Sequence, residues 1–384
     1  MIYLDHNATT RLHPEVLRIM EPYLKEQFGN ASSSYRLGRE AKIALEKSRK
    51  KVADCLGAKS QEIIFTGGGT ESDNLAIRGT ARILRTKGSH IITSGIEHHA
   101  VLKTCEDLEK EGFRVTYLPV NADGQVDPDD VLKNIGKNTI LISIMAANNE
   151  TGVIQPISEI GTIARQKGII FHTDAVQAVG KISVHVENLS VDLLSVSAHK
   201  FHGPKGVGAL YIRDHTPLSP VLTGGHHEHN LRAGTENIPG IVGLAEALSI
   251  ATRNQSATVQ TLSNLRDRFE STILRKIDGV QINGANAPRV PNTSNMSFQF
   301  IEGESILLHL DLKGICASSG SACSTESPEP SHVLLAMGVP AHTAQGAIRF
   351  SLGKDNTSDE IDYVIETLLE ITNKLRKISS VKNM

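Results

Sequence analysis

The sequence predicts an α/β fold in which a mainly parallel, seven-stranded sheet is sandwiched between helices. Seven short β-rich runs lie along the chain, at Ile63–Phe65, His90–Thr93, Val115–Val120, Ile140–Met145, Ile169–Phe171, Leu193–Val196 and Val207–Ile212. Between most of them are segments of helical length and period, such as Ala100–Glu111 and Ile157–Lys167. This alternation places parallel strands under helices on both faces. After about residue 255 the texture changes. A long helical pattern, Val259–Ile277, precedes shorter strands at Asn295–Phe300, Ile315–Ser318 and Ala347–Ser351, and Ser358–Arg376 reads as a closing helix. We read residues 15–255 as the large domain, and residues 1–14 with 256–384 as a smaller α+β domain.

Near the N-terminus Val16, Leu17, Met20, Leu24 and Phe28 recur at helical spacing, as do Ala41, Leu45, Val52 and Leu56. With 384 residues the chain can bury a cofactor, and a formal charge of −2 gives no electrostatic case for nucleic acid. No apolar run approaches the roughly 20 residues of a membrane span. The start, Met1 to Thr10, lacks the basic and apolar regions of a secretion signal. Four cysteines, Cys55, Cys105, Cys316 and Cys323, do not make a disulfide framework in a chain this large, so a reducing cytoplasm is the expected compartment.

Lys200 follows the apolar run Leu193–Val196 within Ser197-Ala198-His199-Lys200. Burial disfavours the ammonium form, and a neutral amine is what attacks a carbonyl. A plain loop lysine would look the same in isolation, but its surroundings point elsewhere. Thr66 to Ser72 carries Gly67, Gly68 and Gly69 between a strand and a helix, either a tight turn or an anion cradle at a helix N-terminus to which Thr70 adds a hydroxyl. It has neither the Walker nor the dinucleotide spacing. Asp174 ends a strand, where it is a helix cap or a partner for a pyridine nitrogen, and Gln177 lies within reach of a ring oxygen. Glycines, then an Asp, then a Lys, in this order, point to pyridoxal phosphate.

Cys323 sits among small and polar residues, Ala317 to Pro328, whose composition predicts an exposed, mobile loop. A cysteine there is a candidate nucleophile, whereas Cys316 reads as core. Arg349, in the strand-like Ala347 to Leu352, needs a partner: a substrate carboxylate or a structural acid. His226, His227 and His229 read as a polar rim in preference to a metal cluster.

With these residues assembled, the chain resembles the NifS/IscS-type cysteine desulfurases, class-V aminotransferase relatives of pyridoxal-phosphate fold type I. The resemblance rests on Tyr3 to Thr10, Gly69 to Asn74, Glu97-His98, Asn148 to Glu150, Asp174 to Gln177, Ser197 to Lys200, Arg232 to Asn237, Ser318 to Cys323 and Ile348 to Ser351. It implies that Lys200 holds pyridoxal phosphate covalently, with Asp174 on the ring nitrogen and Gln177 on the ring oxygen. His98 stacks on the ring and moves protons, while Gly69, Thr70, Ser197 and His199 hold the phosphate. Thr235 crosses to the phosphate of the other subunit in a homodimer. Asn149, Arg349 and Asn30 bind the substrate, L-cysteine, and Cys323 takes its sulfur as a persulfide, releasing alanine. The small-residue segment around Cys323 looks like the long catalytic loop of group I. The resemblance implies no metal at the cofactor site, although Cys323 can contact a nascent iron–sulfur cluster on an IscU/NifU-like scaffold.

The chain departs from its relatives at Ala31 and Tyr35, where they carry Pro and His, and at Glu228-His229-Asn230, where they tend to carry Glu-Arg-Gly. It ends at Met384 without the scaffold-docking extension of the IscS branch. These differences touch partner choice, not catalysis. Two other functions are compatible with the same residues. A selenocysteine lyase or cysteine β-lyase would turn over without Cys323, and an idle partner-binding protein would lack a cofactor absorption band.

Overall fold

The computed structural model describes residues 1–319 and 330–378; Cys323 lies outside them. The strands among the described residues are β1 (Ile2–Tyr3), β2 (Ile63–Thr66), β3 (His90–Ser94), β4 (Arg114–Leu118), β5 (Thr139–Ser143), β6 (Ile170–Asp174), β7 (Leu193–Ser197), β8 (Gly208–Ile212), β9 (Val280–Ile282), β10 (Thr293–Phe298), β11 (Ile315–Cys316) and β12 (Ala347–Ser351). Seven of them form one sheet in the order β2-β8-β7-β6-β5-β3-β4. Every residue of β2, β3, β5, β7 and β8 is buried, as expected of strands covered on both faces. Neighbours from β7 through β6, β5 and β3 to β4 pair in parallel, while β8 runs antiparallel to both β7 and β2. The strands other than β8 therefore end on the same edge of the sheet, where open α/β folds bind ligands.

The remaining strands make a three-stranded antiparallel sheet, β12-β10-β9, and a parallel pair, β1 with β11. One apolar core holds residues between Val16 and Ile250, with Val290; a second holds Leu4 and residues between Leu262 and Leu375. The chain returns to the large sheet at His332–Ala336, whose Val333 and Leu334 pack with Ile96 and Met145. No helix among the described residues is long and apolar enough to cross a membrane.

One sequence expectation needs correction. In helix Pro14–Lys25 only the Val16 and Met20 face is buried; Leu17 and Leu24 are 52% and 60% exposed, and Phe28 lies beyond the helix at 74%. The buried face packs on helix Ile238–Arg253, and the opposite face has no cover among the described residues of this chain.

The interior of the sheet carries polar side chains whose bonds cross strands. His172 on β6 is fully buried, with Nδ1 at 2.8 Å from Ser143 Oγ and Nε2 at 3.0 Å from Ser195 Oγ. Burial pushes its pKa down to about 3, so the folded protein holds it neutral. Its folded value lies below its unfolded one, so the unfolded chain binds the extra proton as pH falls below about 6.5. His172 stabilisation is complete above that pH and is lost at about 1.4 kcal/mol per pH unit on the way down toward pH 3. We expect urea midpoints of wild type and His172→Asn to converge as pH falls from about 6.5, the ordinary imidazole value, to about 4. Parallel midpoints over that range would contradict the linkage.

Candidate active site

The site assembles from the strand ends. After β2 the chain turns through Gly67 and Gly68 into helix Gly69–Leu84. Gly68 has φ 153°, a conformation that L side chains rarely adopt, and a Cβ on Gly69 would meet Val176 Cγ2 at 2.8 Å and Ser197 Cβ at 3.5 Å. Neither position has room or conformation for a side chain, so backbone N–H groups face the space in front of the helix N-terminus. Glu71 secures the turn: its Oε2 accepts from Gly67 N at 2.8 Å, while its Oε1 pairs with Arg232 Nε at 2.8 Å.

β7 ends at Ser197 and leads into the short 3₁₀ turn Ala198–Lys200. Lys200 Nζ donates to the carbonyls of Asn7 at 2.6 Å and Ala8 at 2.8 Å. His199 Nδ1 lies 3.1 Å from Thr9 Oγ1, and burial, followed by the nearby Lys200 and Lys205, pulls its pKa down to about 4. Asp174, at the end of β6, accepts from Val176 N at 2.9 Å. Burial raises its pKa, with His98 and Lys200 opposing. A protonated ring nitrogen would relieve that cost.

His98 caps helix His99–Lys110, its Nδ1 accepting from Ala100 N at 3.1 Å. Burial lowers its pKa, with Lys200 and His332 adding to the shift against Asp174. With Nδ1 engaged as an acceptor, the neutral ring carries its proton on Nε2. Behind it, fully buried Glu97 accepts from Ser94 Oγ at 2.6 Å and Met145 N at 3.0 Å, and burial pushes its pKa up to about 8.

Arg349 on β12 is 2% exposed. Its Nη2 donates to Asp5 Oδ1 at 2.7 Å and its Nη1 to the Asn149 carbonyl at 3.1 Å, while its buried Nε has no hydrogen-bond partner. A structural acid therefore holds one arm, and the buried Nε–H is left without a partner.

Gly69, Thr70, His98, Asn149, Asp174, Gln177, Ser197, His199, Lys200 and Arg349 thus line a single cavity of about 350 Å³. Two other sequence candidates do not reach it. Asn30 is exposed, its Oδ1 accepting from Ser32 N at 2.8 Å in a local turn, and Thr235 is an exposed residue. Cys323 lies outside the described residues, but both flanks of its segment bond to residues that line this cavity. Ser318 exchanges backbone hydrogen bonds with Arg349 at 3.2 and 2.7 Å. Ser331 Oγ donates to Glu150 Oε2 at 2.5 Å, and His332 lines the cavity wall.

The sequence reading missed His332, Lys181, Asp73 and Asn7. His332 stacks on His99 with ring centroids 4.9 Å apart and bonds the Glu97 carbonyl at 3.1 Å. Asp73 and Asn7 stood inside quoted motifs, yet only the fold shows which way their side chains face. In the Glu228-His229-Asn230 stretch the two substituted positions, His229 and Asn230, are exposed, whereas Glu228 is buried and paired with Arg49 at 2.7 Å. Among the described residues no three His, Cys, Asp or Glu side chains gather as a metal site, and His226 bonds Asn230 instead.

A glycine cradle without room for a Cβ, a buried carboxylate opposite an amine, and an unpaired guanidinium N–H fit a phosphorylated pyridine aldehyde and an amino acid. The aminotransferase class-V family profile matches residues 2–364. The chain belongs to that family. It is 55% identical over 381 residues to the cysteine desulfurase IscS of Dictyoglomus turgidum, covering 99% of this chain and 97% of that one. It is 54% identical over 378 residues to the cysteine desulfurase IscS of Methanosarcina thermophila, covering 98% and 93%. A solved NifS-like protein superimposes with a TM-score of 0.91 at 42% identity, covering 97% of this chain and 99% of that one. The family is pyridoxal-phosphate dependent, and this fold is its fold type I.

Proposed function

We propose that this chain is a pyridoxal-phosphate-dependent cysteine desulfurase that converts L-cysteine to L-alanine and keeps the sulfur on Cys323 as a persulfide. The observation that carries this reading is the single cavity where Lys200, Asp174 and the Gly69 turn converge, flanked by both ends of the Cys323 segment.

Gly69, Thr70, Ser197 and His199 would hold the phosphate, Asp174 the protonated ring nitrogen, Gln177 the ring oxygen, and Lys200 the aldehyde carbon. When bound there, pyridoxal phosphate takes up the electron pair left at Cα as a proton departs. Arg349, which lines the cavity, would bind the substrate carboxylate through its guanidinium, whose plane is set by the arm fixed on Asp5. Lys200 would be the base for the Cα proton. Neutral His98 presents Nε2–H to the cavity and moves protons there.

The Cys323 thiolate then attacks the substrate sulfur. A sulfur–sulfur bond forms, the carbon–sulfur bond breaks, and its electron pair stays with carbon, which is protonated to alanine. A free thiol is only a few per cent ionised at neutral pH, so a base must assist.

A homodimer is part of the proposal. Exposed Leu17, Leu24, Phe28 and Tyr35 offer apolar surface to a second copy, and exposed Thr235 is available to reach that copy's phosphate cradle. An IscU/NifU-like scaffold would accept the sulfur for iron–sulfur assembly. Free Cys55, Cys105 and Cys316 suit a reducing cytoplasm, and burial pushes Cys105 up to about 12, which makes it inert.

Single-turnover alanine formation tests the reading. With Cys323→Ala we expect unchanged cofactor absorbance, loss of the protein-bound extra sulfur by intact-mass measurement, and alanine release reduced at least about 100-fold. Undiminished alanine formation would reassign the chain to a lyase of selenocysteine or cysteine.

A further inference from the structure

We propose that Lys181 is a positioning residue: its buried ammonium fixes Gln177 as a hydrogen-bond donor and keeps Lys200, with which it shares Asn7, in the uncharged form. This inference rests on the reading of Lys200 as the covalent attachment point.

The geometry is a closed set of bonds. Lys181 Nζ donates to Gln177 Oε1 at 2.5 Å and to Asn7 Oδ1 at 2.9 Å. An ammonium can only donate, so both amides must turn their oxygens toward it. The orientation of Gln177 follows: its NH₂ faces away and donates to the Asn7 carbonyl at 3.0 Å. That same carbonyl accepts Lys200 Nζ at 2.6 Å. Gln177 and Lys200 therefore converge on one atom, and Lys181 stands behind both. Asn7 is 1% exposed and is held further by Thr293 Oγ1 at 2.8 Å and by Asn292 Nδ2 at 3.1 Å. It cannot turn to offer Lys181 a different atom. With its NH₂ turned inward, Gln177 stabilises an ionised ring oxygen, which a carbonyl oxygen in its place would repel.

The electrostatics have the same sense. Both acceptors of Lys181 are neutral amide oxygens, so the charge is solvated by dipoles and not cancelled by a carboxylate. The titratable groups facing the pair are His6 and Arg349 around Lys181, and His98, His199 and Asp174 around Lys200. Burial keeps the three imidazoles neutral near pH 7, and Asp174 serves the ring nitrogen on the proposed reading. Burial, then Lys200 and Arg349, draw Lys181 well below the usual lysine range. Such a pair holds fewer than two protons at neutral pH, as coupled sites do. Each amine has two oxygens within 2.9 Å; on this proposal the retained proton sits on Lys181, and the pH profile of cofactor capture decides between the two.

The test uses full-length Lys181→Met and Lys181→Gln, both uncharged, with Lys181→Arg as the charge-keeping control. The rate at which cofactor-stripped protein captures pyridoxal phosphate is followed by absorbance across pH. We expect the midpoint of that profile to rise by roughly one to two pH units in the Met and Gln variants, the effect of a like charge a few ångströms away. The Arg variant should keep the wild-type midpoint. A capture rate lowered equally at every pH, with the midpoint unmoved, would mean a merely structural role and overturn the inference. Borohydride reduction of wild-type holoenzyme with peptide mass mapping separates this from the underlying reading. Cofactor on Lys200 with unmoved midpoints defeats only the Lys181 proposal, whereas cofactor on Lys181 defeats both.

Discussion

Replacing Lys200 by Ala will remove the covalent cofactor band and lower alanine formation by at least about 10³-fold, because on the proposed reading one side chain is both the attachment point and the base at Cα. The position cannot be served from nearby. Lys200 Nζ is aimed by two backbone carbonyls, Asn7 and Ala8, and Lys181 donates to side-chain oxygens on the far side of Asn7. The phosphate cradle and Asp174 remain in the variant, so it should still bind pyridoxal phosphate without a bond to it. Equilibrium dialysis would detect this as weakened retention. A small primary amine added to the buffer should restore a fraction of turnover by replacing the missing base. Near-normal turnover in Lys200→Ala without added amine would remove the basis for every role assigned around it.

The parts of this site that were legible in sequence are those set by local backbone. Three consecutive glycines between a buried strand and a helix mark a tight turn or an anion cradle, and the fold shows Val176 Cγ2 denying a side chain at Gly69 while the backbone angle denies one at Gly68. Asp174 and Lys200 were legible because each closes an apolar run, and runs of that kind become interior parallel strands. The reversed direction of β8 follows from length: Ala198 to Val207 is too short for the crossover that a parallel strand requires. What sequence could not show is which polar side chains turn inward. Lys181 lies four residues after Gln177 in an irregular turn, where no period reports its facing. His332 reaches the cavity only because Val333 and Leu334 pack beneath Ile96 and Met145. The Arg349 alternatives, substrate carboxylate or structural acid, stayed open for the same reason, since Asp5 is distant in sequence.

Arg49→Met should cost about 3–5 kcal/mol of stability, the range for leaving a buried charge without its partner. Arg49 and Glu228 are 3% and 2% exposed, joined by two bonds at 2.8 and 2.7 Å. The guanidinium also donates to the Ile63 carbonyl at 2.6 Å, and Glu228 Oε2 accepts from Phe65 N at 2.7 Å. Helix Arg36–Leu56, strand β2 and the segment through Glu228 are thereby tied at one point. That segment is itself strained: Glu228, His229 and Asn230 have φ of 45°, 56° and 66°, a left-handed run that costs on the order of 1–3 kcal/mol per residue. The ion pair holds it in place. Arg232 follows two residues later and fixes Glu71 of the Gly67–Gly69 turn, so on the proposed reading the loss should also weaken cofactor retention. Removing both partners, as in Arg49→Met with Glu228→Leu, should recover most of the intrinsic stability because no charge stays buried. It should not recover cofactor retention, since the Phe65 N–H and the strained segment would lose their common tether. Urea unfolding with cofactor dialysis on the single and double variants distinguishes these effects, and a double variant as unstable as Arg49→Met alone would show that the pair acts through packing and not through charge.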